Sequence, residues 1–424
     1  MAAMLNTLQS AMKVGDLRRR ILFTAYMFLV FRIGSHIPVP GVNQAVVEKF
    51  FTTGGGFFGL LNMFSGGAFF SFSVLAMSIT PYINASIIMQ LLTVVFPKLE
   101  QLAKEGEEGR KKITQYTRYG TIILGLVEAF GITMGVSRLP GSFYHPGILA
   151  VVLSTLSLTA GTAFLMWLGE MITDRGIGNG ISLIIFAGIV SQIPLGAEDM
   201  FRYLRAGTLS GFDAGLLLLA AVGIIAVVVL FQEAQRRIPV QYAKRVVGRR
   251  IYGGQTTHIP LKVNSAGVIP VIFAISIMMF PVTLAQFIHA PWAQNLLGYL
   301  SFGSAPYIAG EFLLVFFFTY FYTAVVFNPK DVAENMKKYG GFVPGIRPGK
   351  PTAQFLERIM VRVTLVGAVF LGLIAVLPNF LTDLTGLQMY FGGTALLIVV
   401  GVALETMKQI EAHLLMRHYQ GFLR

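Results

Sequence analysis

The chain has 424 residues, 54% of them hydrophobic and only 12% charged, with a net charge of +13 and no cysteine. Soluble domains carry roughly 25% charged residues, so a chain this apolar falls outside that class. The absence of thiols excludes disulfides, thiolate catalysis and cysteine-ligated metals.

Apolar runs of about 20 residues recur, enough to cross a hydrocarbon core of about 30 Å. They predict an integral membrane protein, and a helical one, because backbone groups in lipid must find partners within each span. In chain order, residues 1–20 read as an amphipathic cytoplasmic segment ending in Arg18, Arg19 and Arg20, ahead of a first span at 21–37 that is expected to be retained. Residues 57–73, FFGLLNMFSGGAFFSFS, follow Gly54, Gly55 and Gly56 and are too short and too rich in Gly and Ser to span with ease. Two readings are open for them: an external interfacial segment, or a re-entrant half-helix buried in protein beside a cavity. Further spans are predicted at 74–96, 115–137, 148–172 and a short one at 181–195, which starts after the tight DRGIGNG turn of residues 174–180. Residues 196–211 read as an external hinge loop between an N-terminal half, 21–195, and a C-terminal half, 212–410. That second half holds spans at 212–232, 266–287, 306–327, 361–378 and 391–410, followed by a cytoplasmic tail at 411–424.

Two long polar loops interrupt the hydrocarbon. Residues 233–264 hold Arg236, Arg237, Lys244, Arg245, Arg249, Arg250 and Lys262 against Glu233 alone. Residues 328–360 carry Lys330, Lys337, Lys338, Arg347 and Lys350, with Asp331 and Glu334 among them. With ten spans and a cytoplasmic N-terminus, only Arg32, Lys49, Arg138, Arg202 and Arg205 of the 33 Lys and Arg fall on the outer side. That asymmetry obeys the positive-inside rule. Both termini and both basic loops are therefore expected in the cytoplasm, the loops forming a cationic docking surface for a large anionic partner.

Chemistry at membrane depth is sparse. Ionisable groups there are costly and usually functional, yet the candidates are few: Glu128, Glu170, Glu311 and Glu405, of which only Glu128 looks central. The six histidines lie in loops or at span ends, and no HExxH, P-loop or nucleophile elbow occurs. No catalytic role and no cofactor is predicted, and energy would have to come from a partner. The spans offer aliphatic surfaces instead: Ile79, Ile83 and Ile87 share a helical face at i, i+4 spacing, as do Ile185 and Ile189. Spacing alone leaves these as lipid-facing or packing residues.

Six long motifs carry a resemblance: ITPYINASIIMQLLTVV (79–95), DRGIGNGISLIIFAGIV (174–190), QRRIPVQYAKR (235–245), GVIPVIF (267–273), NPKDVAENMKKYGGFVPGIRPG (328–349) and YFGGTALLIVV (390–400). In this order and spacing the chain resembles the SecY/Sec61-alpha family, the central subunits of Sec protein-conducting channels, from its first span to its last. The resemblance implies an all-α bundle of ten spans in two inverted halves of five, around an hourglass pore. It implies that residues 57–73 are a plug closing the pore from outside, with Phe57, Leu60, Leu61, Met63, Phe64, Gly66, Gly67 and Phe69 as its main contacts. The pore ring would be Ile79, Ile83, Ile185, Ile189, Ile272 and Ile398.

A lateral gate would open to lipid between the spans at 74–96 and 266–287, lined by Thr80, Asn84, Ile87, Ile272 and Phe273. Arg236, Arg237, Lys244, Arg245, Arg249, Arg250 and Arg347 would form the docking site for the SecA motor ATPase and the ribosome. Other implied partners are the SecE and SecG subunits, signal peptides, nascent secretory chains and membrane lipid, in the plasma membrane of a bacterium. On the residues alone, two rivals stand beside a channel: a ten-span secondary transporter coupled through Glu128, and a membrane scaffold with no conduit.

Overall fold

The structure, a computed structural model, describes residues 11–53, 56–207, 210–242, 245–247, 250–252, 256–286, 295, 298–299, 303–385 and 393–421. It opens with α1 (Gly15–Gly34), α2 (Gln44–Thr53), α3 (Gly56–Phe64), α4 (Thr80–Val95), α5 (Pro97–Lys104), α6 (Glu107–Ser137), α7 (Ile148–Arg175), α8 (Gly180–Arg205) and α9 (Gly211–Glu233). Strands β1 (Gln235–Tyr242), β2 (Arg245–Val247), β3 (Arg250–Tyr252) and β4 (Thr256–Lys262) follow. The chain continues through α10 (Ile269–Gln286), α11 (Ala305–Val326), α12 (Pro329–Lys338), β5 (Gly341–Phe342), α13 (Lys350–Thr385) and α14 (Gly393–Gly421).

Each of the ten predicted spans coincides with a helix: α1, α4, α6, α7, α8, α9, α10, α11, α13 and α14. Among the described residues, six helices are long and apolar enough to cross a bilayer on length and composition. A seventh crossing results if α4 and α5, bent by 100° at their junction, count as one, and α10 is a shorter apolar helix. The outward surfaces are hydrocarbon, as lipid requires: Leu216, Leu218, Leu219, Val222 and Leu230 of α9 are all exposed.

Two predicted boundaries move. The span expected at 74–96 becomes helical only at Thr80; residues 65–79 run through turns, with Phe72 and Ser78 at positive φ (45° and 54°). Pro81 explains the start, because in a first helical turn its missing N–H forfeits no bond. The fifth span is not short. Helix α8 runs through Pro194 to Arg205 and takes in most of the segment expected as an external loop. An interior proline removes one backbone bond, and a 26-residue helix with partners on either side absorbs that loss.

The DRGIGNG turn is as tight as its glycines suggest. Asn179 caps α8, its Oδ1 accepting from the backbone N–H groups of Ile181 and Ser182 at 3.1 and 3.2 Å. A Cβ on Gly180 would collide with the Gly169 carbonyl oxygen, so α7 and α8 meet there backbone to backbone. Helix α1 secures the turn: Arg20 Nη1 donates to the Gly176 carbonyl (3.3 Å), and Thr24 Oγ1 accepts from Ile177 N–H (3.2 Å).

The basic loops hold β-structure that composition did not reveal. β1 pairs antiparallel with β4, Ile238 opposite Ile259 and Gln235 opposite Lys262. β5, from the second loop, pairs with the other edge of β1 through Gln241 and Tyr242. The two loops are thus one three-stranded sheet, β4-β1-β5. Ile238, Val240 and Leu261 bury one face of it against Met336, Val343 and Leu356, a small core separate from the main one.

Candidate functional site

The site is built around α3 and its return. Residues Leu60, Leu61, Met63, Phe64, Ala68, Phe69 and Phe72 are buried, so the segment is enclosed by protein rather than lying on its surface. Phe57 belongs to α3 by its backbone; its side chain is outside the described residues. The helix ends in a Schellman turn: Gly67 N–H reaches the Asn62 carbonyl (2.9 Å) and Gly66 N–H the Met63 carbonyl (3.2 Å). Gly66, at φ 69°, occupies the left-handed position this motif requires.

Side chains then close the turn on itself. Asn62 Oδ1 accepts from Phe70 N–H (2.9 Å), Ser65 Oγ accepts from Phe69 N–H (2.9 Å), and Ser78 Oγ donates to the Phe64 carbonyl (3.0 Å). The return strand is pinned to the segment after α1, with Val39 N–H on the Phe72 carbonyl (3.1 Å) and Val74 N–H on the Ile37 carbonyl (2.9 Å). Phe51 of α2 packs its ring on Phe58 and Phe69 at centroid distances of 4.9 and 4.6 Å. A non-helical stretch at membrane depth needs this many partners for its backbone.

The six isoleucines expected to form the ring are all buried: Ile79 and Ile83 at the start of α4, Ile185 and Ile189 on α8, Ile272 on α10 and Ile398 on α14. They share one hydrophobic cluster. Ile79, Ile83, Ile185 and Ile272 line a common cavity of about 10 Å³ with Phe64 of α3. That is no more than a single water's worth of space. Burying an isoleucine side chain stabilises by roughly 1.5–3 kcal/mol, so exposing six to water would cost on the order of 10 kcal/mol.

Of the predicted gate residues, Thr80 lines this cavity and also a second one of about 20 Å³, where Leu61 and Phe69 meet Glu128 and Ile132 of α6 and Met279 and Phe280 of α10. Asn84 is buried and its Nδ2 donates to Glu128 Oε1 (3.2 Å); no partner is found for Asn84 Oδ1 among the described residues. Ile87 is buried on the same face of α4. Phe273 points elsewhere: its ring meets Phe318 and Tyr322 of α11 edge-on at 5.8 and 6.2 Å. Sequence reasoning missed Ser276 and Met279, which line the first cavity one and two turns on from Ile272. Their i+4 and i+7 spacing was the available signal. It also left Glu128 without its Asn84 partner.

In the two basic loops, expected in the cytoplasm, Arg236 and Arg237 are exposed on β1, on the sheet that also carries β5. Arg347 is exposed in the turn after β5, where Gly345 and Gly349 take positive φ (80° and 96°) and the Arg347 carbonyl accepts from Thr352 Oγ1 (2.8 Å). Arg245 and Arg250 lie on the β2–β3 hairpin, which the structure describes by backbone; Lys244 and Arg249 are outside the described residues. Glu170 pairs with Arg118 Nε at 2.9 Å, and Glu311 is buried. Among the described residues no cluster of His, Asp or Glu could hold a metal ion.

Comparison with known proteins agrees with this architecture. Residues 73–407 match the SecY family. The protein translocase subunit SecY of Halalkalibacterium halodurans is 50% identical over 436 residues, covering 99% of this chain and 100% of that one. The subunit of the same name from Escherichia coli K12 is 47% identical, covering 97% and 95%. A solved structure of a protein-conducting channel superposes with a TM-score of 0.68 at 20% identity, covering 93% of this chain and 92% of that one. Over the same shares, a SecY channel studied for its plug domain gives 0.66 at 20% identity, and Sec61 from a canine ribosome–channel complex gives 0.62 at 19%. The structural likeness gives the fold; the identity with the bacterial relatives, over almost the whole length, gives the family. The chain belongs to the SecY family of protein translocase subunits.

Proposed function

We propose that this chain is the pore-forming subunit of a bacterial plasma-membrane Sec translocase, closed by α3 as a plug at a ring of six isoleucines. One observation supports the reading: Phe64 of α3 lines the same cavity as Ile79, Ile83, Ile185 and Ile272, so the proposed stopper and the proposed ring border one space. An aliphatic ring binds nothing strongly, so an unfolded chain of any sequence slides through. Empty, it resists ions by dewetting. A hydrogen-bonding rim would grip some sequences and stall them.

Signal sequences and membrane segments leave sideways between α4 and α10, because about 20 apolar residues partition into lipid once a path exists. The chain itself hydrolyses nothing. Force or feed comes through the cytoplasmic sheet and the Arg347 turn, where SecA or a translating ribosome docks, its RNA phosphates meeting arginines in charge-assisted bonds. SecE and SecG complete the assembly, and both termini lie in the cytoplasm.

The test is a stalled secretory chain carried by the assembled translocase, with photo-crosslinkers at Ile83, Ile185 and Ile398 in turn. Crosslinks from all three are expected, and none from a lipid-facing control such as Leu219. Silence at the three ring positions would remove the pore assignment. A transporter coupled through Glu128 would instead lose solute uptake on Glu128→Gln.

A further inference from the structure

Arg32 is one of five cations on the outer side of the predicted topology, against the inward bias of the rest. It sits in the last turn of α1, half-buried, and its Nη1 donates to the Gly66 carbonyl at 2.8 Å. The same nitrogen reaches Ser191 Oγ of α8 at 3.4 Å, and that hydroxyl donates to the Gly188 carbonyl at 2.7 Å. Gly66 is the left-handed residue of the Schellman turn that ends α3. Carbonyls at a helix C-terminus carry partial negative charge and attract a cation.

Backbone packing brings these groups together. A Cβ on Gly188 would lie 2.6 Å from the Phe64 carbonyl oxygen, so α3 closes directly onto α8. One guanidinium therefore spans α1, the end of α3 and α8.

We propose that Arg32 is the latch of the plug: a positioning residue whose charge-assisted bond holds the closed seat and must break whenever α3 leaves. The inference rests on the reading of α3 as the plug. Residues 37–39 hold the return strand through backbone bonds, and the guanidinium contact sits instead on the helix end that faces the ring. Its loss should raise the open population without unfolding the seat. Removing a hydrogen bond to a charged group shifts an equilibrium by about 10- to 100-fold.

The test uses the assembled full-length translocase. Because the chain has no cysteine, Met63→Cys on α3 is a single reporter, buried when closed. It is read as the rate of labelling by a water-soluble maleimide applied from the outer face. In that background Arg32→Gln is expected to label about 10- to 100-fold faster, with a matching rise in ion conductance. Arg32→Lys, which keeps a cation within reach, is expected to restore most of the protection.

Labelling of Arg32→Gln at the parent rate, while deletion of 57–73 leaks ions, would overturn the latch and leave the plug standing. A tight membrane after that deletion would overturn both. Should Arg32→Gln fail to accumulate, Ser191→Ala carries the test: a two- to three-fold faster rate supports the latch, and an unchanged rate overturns it.

Discussion

The two sides of the proposed constriction hold α3 by different physics. The side built from α1 to α8 ties it down with directional bonds: Arg32 to Gly66, Ile37 and Val39 to the return strand, Ser78 to Phe64. It adds a backbone-to-backbone approach at Gly188. The side built from α9 to α14 offers mostly apolar surface, from Ile272, Ile275, Met279 and Phe280, with Ser276 the one hydroxyl among the cavity-lining residues of α10. Directional bonds fix a position and resist sliding, whereas dispersion contacts are individually weak and re-form with any apolar partner. On the proposed reading, a channel built this way would part along its apolar side, where a signal helix could take over the contacts that separation removes.

The contrast can be broken experimentally. The largest effect is expected from deleting residues 57–73, which should turn a tight membrane into an ion-conducting one by orders of magnitude in planar-bilayer recordings; unchanged conductance would leave the ring without a stopper. Gly188→Val should come next. Its side chain meets the Phe64 carbonyl, so α3 must lift, giving a constitutive leak at least 10-fold above the parent.

Arg347→Glu reaches the contrast from outside. ATP-driven export should fall by more than 10-fold in a vesicle assay while membrane insertion and the closed-state seal are retained. A leak in this variant would mean that the turn supports closure itself. Asn84→Leu is expected to be the mildest. It leaves Glu128 buried without its donor and should destabilise the closed assembly by about 1–3 kcal/mol, read as a lower Tm of the purified complex. A Met279→Leu exchange on the opposite side, nearly isosteric and apolar, should cost less than about 1.5 kcal/mol; equal losses in the two variants would erase the asymmetry.

The sequence disclosed the spans well because hydrocarbon runs of membrane length have few other uses. It was weaker where local rules yield to tertiary contact. Residues 74–79 are as apolar as a helix, yet Ser78 at φ 54° breaks the run, held in place by its bond to Phe64. The span expected to end at 195 continues through Pro194 to Arg205 in α8. The strands of the first basic loop were legible in principle: in QRRIPVQY only Ile238 and Val240 are buried, alternating with exposed neighbours, but the density of arginine drew attention to charge. The pairing of β5 with β1 joins residues about a hundred positions apart, which no periodicity discloses. Among the candidate site residues, Ile79, Ile83, Ile185 and Ile272 line one cavity, while Phe273 turned to α11, since facing direction depends on neighbours that spacing does not name.

That sheet has a mechanical consequence. β1 leaves directly from α9, β4 returns to α10 through Val263–Val268, and β5 is tied in from the chain between α12 and α13. Backbone ladders are stiff compared with loops, so a load placed on either basic loop is shared by both and carried to their helical roots. The short tether from β4 ends at the helix bearing Ile272. If a partner docks on these arginines, as proposed, the ladder would lead its load to the helix that lines the proposed constriction.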